Sequence, residues 1–437
     1  MRLNRVILLL LGCALLVLYR AGVSASGVSG IRFFMKIALV QSAIYLLAVW
    51  IVTRARPSNS TLMIAIGFAV LFRVSILFTP PHLSDDIYRY IWDGRVQAAG
   101  INPYRYIPAA PELAQLRDDT IYPKINRRDY AHTIYPPVAQ VVFLLTTRIS
   151  ESVVWMKVTM LIFEMVAIWA IASLLTLLGR PRQLLLLYAW HPLCVWEFAG
   201  SGHVDAIAIA FIAVAFLAWQ KRSDVGAGIL LGCATLVKLF PFVLIPAIFK
   251  RGRWTVAPIF VATIIVGYLA YLSVGPTAVL GSMPVYTKEM GVITGQQFYV
   301  LSLARKLFGL ELASMAYMIA TVVVMSALAL WVLSRKTEDY LKHAMVLATA
   351  ATVLFAPHFS WYFCWLVFFL CFTPRLAVFY LTIANLILYA TWLGDSPEEM
   401  FVINSVIYLP ALLLAVLESL APNIRKNGYQ EPKTGSP

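Results

Sequence analysis

Apolar residues run along most of this chain in stretches of roughly the length a membrane helix needs, with short polar or basic punctuation between them. A helix crossing the ~30 Å hydrocarbon layer takes about 20 mostly apolar residues, and only helices or closed barrels satisfy every backbone group inside lipid. Such stretches lie near 5–24, 34–53, 62–78, 151–178, 183–199, 203–220, 255–274, 312–334, 343–357, 360–373, 376–393 and 400–420. They predict an all-α, polytopic helical membrane protein with about 12 transmembrane helices. The first stretch has a long apolar part and no small-residue cleavage site of the A-x-A type behind it, so it is read as a span.

One apolar stretch breaks the count. Residues 226–249, GAGILLGCATLVKLFPFVLIPAIF, lie between Lys221/Arg222 and Lys250/Arg251/Arg253. Basic clusters favour the cytoplasmic side, and a single crossing would put one of these two outside. Lys238 and Pro241 stand in the middle, and Pro241 removes a helix hydrogen bond and clashes with the preceding turn. The pattern predicts a broken re-entrant helix pair that enters and returns, with LVKLFP as its turn.

With both termini cytoplasmic, the other clusters (Arg2/Arg5, Arg54/Arg56, Arg180/Arg182, Arg335/Lys336/Lys342, Arg375, Arg425/Lys426) also fall inside, while Arg20, Arg32 and Lys36 run against the rule. This topology puts loop 79–136 outside, together with the turn at 199–203, loop 275–311, the tip at 357–360 and the acidic turn 394–399. No internal repeat is evident. Residues 1–422 read as one membrane domain, and 423–437 as a disordered cytoplasmic tail.

Composition agrees: 61% of the 437 residues are hydrophobic and 13% charged, against about 25% charged in soluble domains. Mean hydropathy is +0.79. The net charge of +14 is spread over loops between spans, which argues against nucleic acid as a partner. All five cysteines (Cys13, Cys194, Cys233, Cys364, Cys371) fall in apolar stretches, so neither a disulfide framework nor a zinc site is expected. No P-loop, dinucleotide fingerprint or zinc helix is present.

The chemistry-bearing passage is LSDDIYRYIWDGRVQAAGINPYRY, residues 83–106, directly after the third span. Asp86, Tyr90 and Asp93 share one side of a helix starting near Ser84, with Asp85 and Asp86 in its first turn. Such carboxylates commonly do no more than favour the helix dipole. Here, however, Glu197 near the end of its span, His203 and Asp205 in GSGHVD, and His358 in APHFSWY approach the same outer surface, and ionisable residues at a membrane are usually functional. Together they describe a polar, outward-facing cavity in which a carboxylate can act as general base. Arg89 and Arg95, Lys288, Arg305 and Lys306, and Lys238 are cations able to hold a phosphate, although the lysines and arginines of loop 275–311 are the kind that ordinarily snorkel. Aromatics such as Tyr88, Trp92, Tyr104, Tyr106, Trp361 and Tyr362 suit a membrane-border belt, or rings that stack on a sugar or flank a lipid chain.

Three passages resemble the polytopic C-type glycosyltransferases that use polyprenyl-phosphate sugars, nearest to glycosyltransferase family 87: SDDIYRYIWDGRVQAAGINPYRY, HPLCVWEFAGSGHVDAIAIAF (191–211) and the Lys-centred broken stretch 226–249. Two spans precede the one that leads into the aspartate loop, where that family's usual pattern has the aspartate after the first span, and Val204 stands where its Gly-His turn has Asn. The resemblance implies a C-type architecture and inverting transfer of a hexose, mannose above all, from a polyprenyl-phosphate carrier to an acceptor hydroxyl of a glycolipid or glycan outside the cytoplasm. In a bacterium that is the outer face of the cytoplasmic membrane. Counting back from Pro103-Tyr104, the family's loop aspartate falls on Asp86, the base, with Asp85 beside it. Arg89, Lys238 or an outer-loop cation then holds the phosphate, and His203, Asp205 and Glu197, with Tyr90 and His358 nearby, bind sugar. No cofactor is implied. A divalent metal on Asp85, Asp86 and Asp205 is conceivable chemistry, and the expectation is none. The competing class is a lipid-linked substrate flippase or proton-coupled transporter, whose site would lie near the midplane of an inverted repeat. A structural scaffold is disfavoured by the load of outer-surface acids.

Overall fold

The computed structural model describes residues 2–420 except 24–26, 82, 251, 297, 310–312, 336 and 395. The expected tail at 423–437 lies outside the described residues. All regular elements among the described residues are helical. The α-helices of seven residues or more are α1 (Arg2–Val23), α2 (Gly27–Arg54), α3 (Asn59–Leu77), α4 (Asp86–Ala98), α5 (Pro137–Ile149), α6 (Val153–Leu177), α7 (Asp205–Gln220), α8 (Asp224–Thr235), α9 (Val256–Leu269), α10 (Met283–Glu289), α11 (Tyr299–Phe308), α12 (Ser314–Leu333), α13 (Tyr340–Phe355), α14 (Cys364–Leu370), α15 (Leu376–Ala384) and α16 (Pro397–Leu420).

Among the described residues six helices are long and apolar enough to cross a membrane: α1, α2, α3, α6, α12 and α16. The other expected spans are shorter or divided. α7 and α13 have 16 residues each and α9 has 14, which at 1.5 Å per residue is about 21–24 Å. Stretch 360–373 begins as a tight Ser360–Phe363 turn before α14, and α15 tightens into a 3₁₀ segment at Asn385–Trp392. α5, which the span count leaves unassigned, packs along α4 and against α6.

The stretch 183–199, expected as one span, is not a continuous helix. It consists of a 3₁₀ turn at Arg182–Leu185, single turns at Leu186–Ala189 and Pro192–Cys194, and a wide turn at Val195–Gly200. Pro192 explains the break: it drives the preceding residue out of the helical region, and His191 has ψ 120°. Irregular backbone at membrane depth is tolerated only when protein buries it, and residues 183–205 are buried throughout. The carbonyls freed by the break find donors on other helices. Tyr45 OH donates to Leu187 O at 2.7 Å, and Arg73 Nη1 donates to Ala189 O at 2.8 Å.

The 226–249 region breaks where the sequence places it. α8 ends at Thr235, Leu236–Leu239 turn, and a 3₁₀ segment at Phe240–Leu244 leads into a short turn at Ile245–Ile248. Both ends of this excursion meet: Arg253 pairs with Asp224 and donates Nη1 to Trp219 O at 2.9 Å, while Trp219 Nε1 donates to Ile248 O at 2.9 Å. At the far tip, Leu236 O accepts from the N–H groups of Val138 and Ala139, so the turn caps the start of α5 beside loop 79–136. Gly228 and Gly232 allow α8 to lie on α9, since a Cβ at Gly228 would stand 2.7 Å from Val256 O. In a cysteine-free background, Lys221→Cys and Trp254→Cys should react with an impermeant maleimide from one side of the membrane, and Tyr130→Cys from the other. Labelling of Lys221→Cys and Trp254→Cys from opposite sides would show that the segment crosses.

Candidate active site

Helix α4 begins at Asp86, with Asp85 flanking it and Ser84 Oγ accepting the Asp86 N–H at 3.2 Å. The three residues expected on one face separate by depth: Tyr90 and Asp93 are buried and Asp86 is half-buried. Asn126, from the same loop, donates its side-chain nitrogen to Asp85 Oδ1 and to Asp86 Oδ1, each at 2.8 Å. Asp85 touches solvent, yet the protein mass around it desolvates the carboxyl and raises its pKa. The Asn126 hydrogen bond opposes this rise, and the charge of Asp86 adds to it.

A second acid faces this pair. Asp205, the first residue of α7, accepts from Lys238 Nζ through both oxygens, at 2.8 and 2.7 Å. The Lys238 ammonium also lies 4.1 Å over the Tyr362 ring, whose hydroxyl is 3.1 Å from that of Tyr286 on α10. The Tyr90 hydroxyl is pushed well above its usual range, first by burial and then by the charges of Asp86 and Asp205, so both carboxylates bear on one phenol. Charges of Asp205, Asp86 and Arg127 all act on Tyr362. Asp85, Asp86, Tyr90, Asp205 and Lys238 thus converge at the tip of the broken segment.

Glu197 and His203 lie next to this cluster but inside the protein, both buried. Tyr389 OH donates to Glu197 Oε1 at 2.7 Å, and His203 Nδ1 is 2.8 Å from Glu197 Oε2, close but misaligned for a good hydrogen bond. The His203 ring stacks on Trp361 at 4.0 Å and 25°, and Trp361 stacks on Phe359 at 4.6 Å. The wide turn at Val195–Gly200, a form frequent at functional sites, aims Glu197 back toward His203. Gly202, at φ +76°, makes the turn between them. His358 is half-buried on the tip carrying Phe359.

Arg89 does not bond the acids at the start of α4. Its Nε donates to Asp93 Oδ1 at 2.7 Å and its Nη1 to Ala131 O at 3.1 Å. Asp93 also accepts from Thr133 and from Gln140 Nε2, and Gln97 links Gln140 to Tyr271. This buried network fixes α4 against its loop. Arg95 is likewise occupied, pairing with Asp118 and Glu151 at 2.8 Å each. Lys306 lies over Phe401, and Arg305 Nη1 donates to Thr294 O. A half-buried cation close to the acids that the sequence does not single out is Arg127. Its Nε binds Glu289 Oε2 at 2.6 Å, its charge acts on Asp85, and that of Asp86 acts on it. Among the described residues no group of three or more His, Cys, Asp or Glu is placed to hold a metal ion.

Asn126 and Arg127 escape a sequence reading because they meet the acids across some forty residues of loop, with no periodicity to signal it. Arg73 and Glu164 were visible as charges inside apolar stretches, the signal that identifies intramembrane pairs. Arg73 Nε donates to Glu164 Oε2 at 2.7 Å, in the core between α3 and α6.

Residues 12–251, more than half of the chain, match the family described as MptA_B, alpha-(1->6)-mannopyranosyltransferase, N-terminal domain. No curated protein matches the chain.

Proposed function

The chain belongs to the alpha-(1->6)-mannopyranosyltransferase family, and from that premise we propose that it carries mannose from a polyprenyl-phosphate carrier to an acceptor hydroxyl on the extracytoplasmic face of the membrane. Asp86 is the general base and Asp85 its neighbour. The acceptor hydroxyl loses its proton to Asp86 as its oxygen attacks the anomeric carbon, and the bond to the carrier phosphate breaks with its electron pair on the phosphate. In a single inverting displacement an α-linked product requires a β-linked donor. Cleavage of the activated sugar-phosphate bond drives the transfer without a nucleotide.

The observation that carries this reading is the approach of the Asp85/Asp86 pair and the Asp205–Lys238 pair at one membrane-border cluster. A base therefore faces a cation that can hold the leaving phosphate. An ammonium has three donors, and Asp205 occupies two of those on Lys238, so one remains for a phosphate oxygen. Arg127, whose Nε is engaged by Glu289, is a further cation suited to this charge. The half-buried Tyr362 offers its ring for the sugar, and Asp205 a carboxylate for its hydroxyls, while Tyr90 is buried against Phe143 and Tyr135. Glu197 and His203, both buried, support Trp361. The architecture proposed is C-type, with the shorter helices and the broken pair completing the membrane domain.

The test is a transfer assay with purified protein, radiolabelled polyprenyl-phosphate mannose and a membrane glycolipid extract. Label in a new glycolipid, with none from nucleotide-linked mannose, supports the reading. Absence of transfer from mannosyl and glucosyl carriers alike would overturn it in favour of substrate flux across the bilayer.

A further inference from the structure

We propose that Asn126 is a positioning residue whose one amide nitrogen clamps the Asp85 and Asp86 carboxylates together and so aims Asp86 at the acceptor. This rests on Asp86 being the base, as proposed above. The geometry is specific. Adjacent carboxylates repel, and a carboxylate accepts but does not donate. The nitrogen of Asn126 has two hydrogens, and one 2.8 Å bond goes to each acid. A neutral donor holds both charges in place without forming an ion pair that would quench the base.

The strap that presents Asn126 is itself fixed. Arg127 adopts φ +52°, a left-handed conformation that a long side chain rarely takes. Its side chain goes to Glu289, and its carbonyl accepts from the N–H groups of Tyr130 and Ala131. Ala131 O in turn receives Arg89, which is bound to Asp93 on α4. The contacts form a closed circuit from the body of α4, through the strap, back to the acids at its start. The left-handed turn commits the cationic side chain to Glu289 while its neutral neighbour hydrogen-bonds the carboxylates. This gives the otherwise unexplained backbone at Arg127 a purpose.

The test combines kinetics with a substrate-free titration. The groups facing the pair are Arg127, Asp205 with its partner Lys238, and the phenols of Tyr90, Tyr135, Tyr286, Tyr362 and Tyr389, and phenols ordinarily titrate near 10. A midpoint in the acid range therefore reads the carboxyls. Asn126→Ala should lower kcat by about 10–100-fold while the donor KM stays within about twofold. Its acid limb should move to higher pH, because loss of the donor favours the protonated carboxyl. Infrared titration of the substrate-free protein should show the same upward shift in the protonated-carboxyl band that Asp85→Asn removes. Asn126→Gln, which keeps the donor, should recover part of kcat and of the shift.

Unchanged kcat and midpoint in a monodisperse Asn126→Ala protein overturns the proposal, as does a rise in KM alone. An infrared shift in a protein that transfers nothing with wild-type residues leaves the clamp standing and removes the transferase reading instead.

Discussion

Asp86→Asn protein should insert, purify and bind donor normally, while its transfer rate falls by about 10²–10⁴-fold, the usual contribution of a positioned general base. The amide keeps the size and the hydrogen-bonding reach of the carboxylate but cannot take a proton. It also turns one acceptor facing Asn126 into a group that can rotate its oxygen toward the same donor, so the strap should stay in place. Asp85→Asn is the informative partner. Asp85 is the more exposed of the two. Its loss should cost far less than that of Asp86. Single-turnover transfer by both proteins, alongside donor binding, checks this. The base moves one residue if Asp86→Asn retains activity and Asp85→Asn does not.

The second large effect concerns stability. Arg73→Leu should destabilise the protein by about 3–5 kcal/mol, because it leaves the Glu164 carboxylate buried without its partner. The guanidinium satisfies Glu164 bidentately and also donates to Ala69 O and Ala189 O. The loss therefore also frees a carbonyl of the broken 183–199 stretch. Removing both charges, as Arg73→Leu with Glu164→Leu, should recover much of the stability, since paired removal avoids a lone buried charge. Thermal unfolding in detergent, with protease susceptibility as a second probe, measures the cycle. Equal stability of the single and double variants would mean that the carbonyl, not the carboxylate, sets the cost. Because Ala189 sits just before His191-Pro192 on the path to Glu197, the single variant should also loosen the Glu197–His203 contact.

The matched family stretch, 12–251, contains all three passages that resemble polyprenyl-phosphate-sugar glycosyltransferases. That half of the chain was the more legible one because its signals are local. Asp85 and Asp86 follow a span directly, Pro241 stops a helix by its own chemistry, and the flanking basic clusters demand that the break return on itself. The C-terminal half carries apolar helices and few charges, so its contribution to the site, through Tyr362, Trp361 and Tyr389, was readable only as aromatic density.

What the sequence alone determined is what depends on short-range composition: the helical membrane class, the break around Lys238 and the position of the acids at the head of a helix. It did not determine that 183–199 would be divided. An apolar run reads as a span until partners such as Tyr45 and Arg73 are known to satisfy its open carbonyls. Nor did it determine which cation meets which acid. Lys238 reaches Asp205 across 33 residues, Asn126 reaches Asp86 across 40, and Tyr389 reaches Glu197 across 192. Arg89, the nearest cation to Asp86 in sequence, turns instead to Asp93 one helical turn on. In a buried, low-dielectric setting every charge must find a partner. Packing of the helices, which no local pattern encodes, decided those partners.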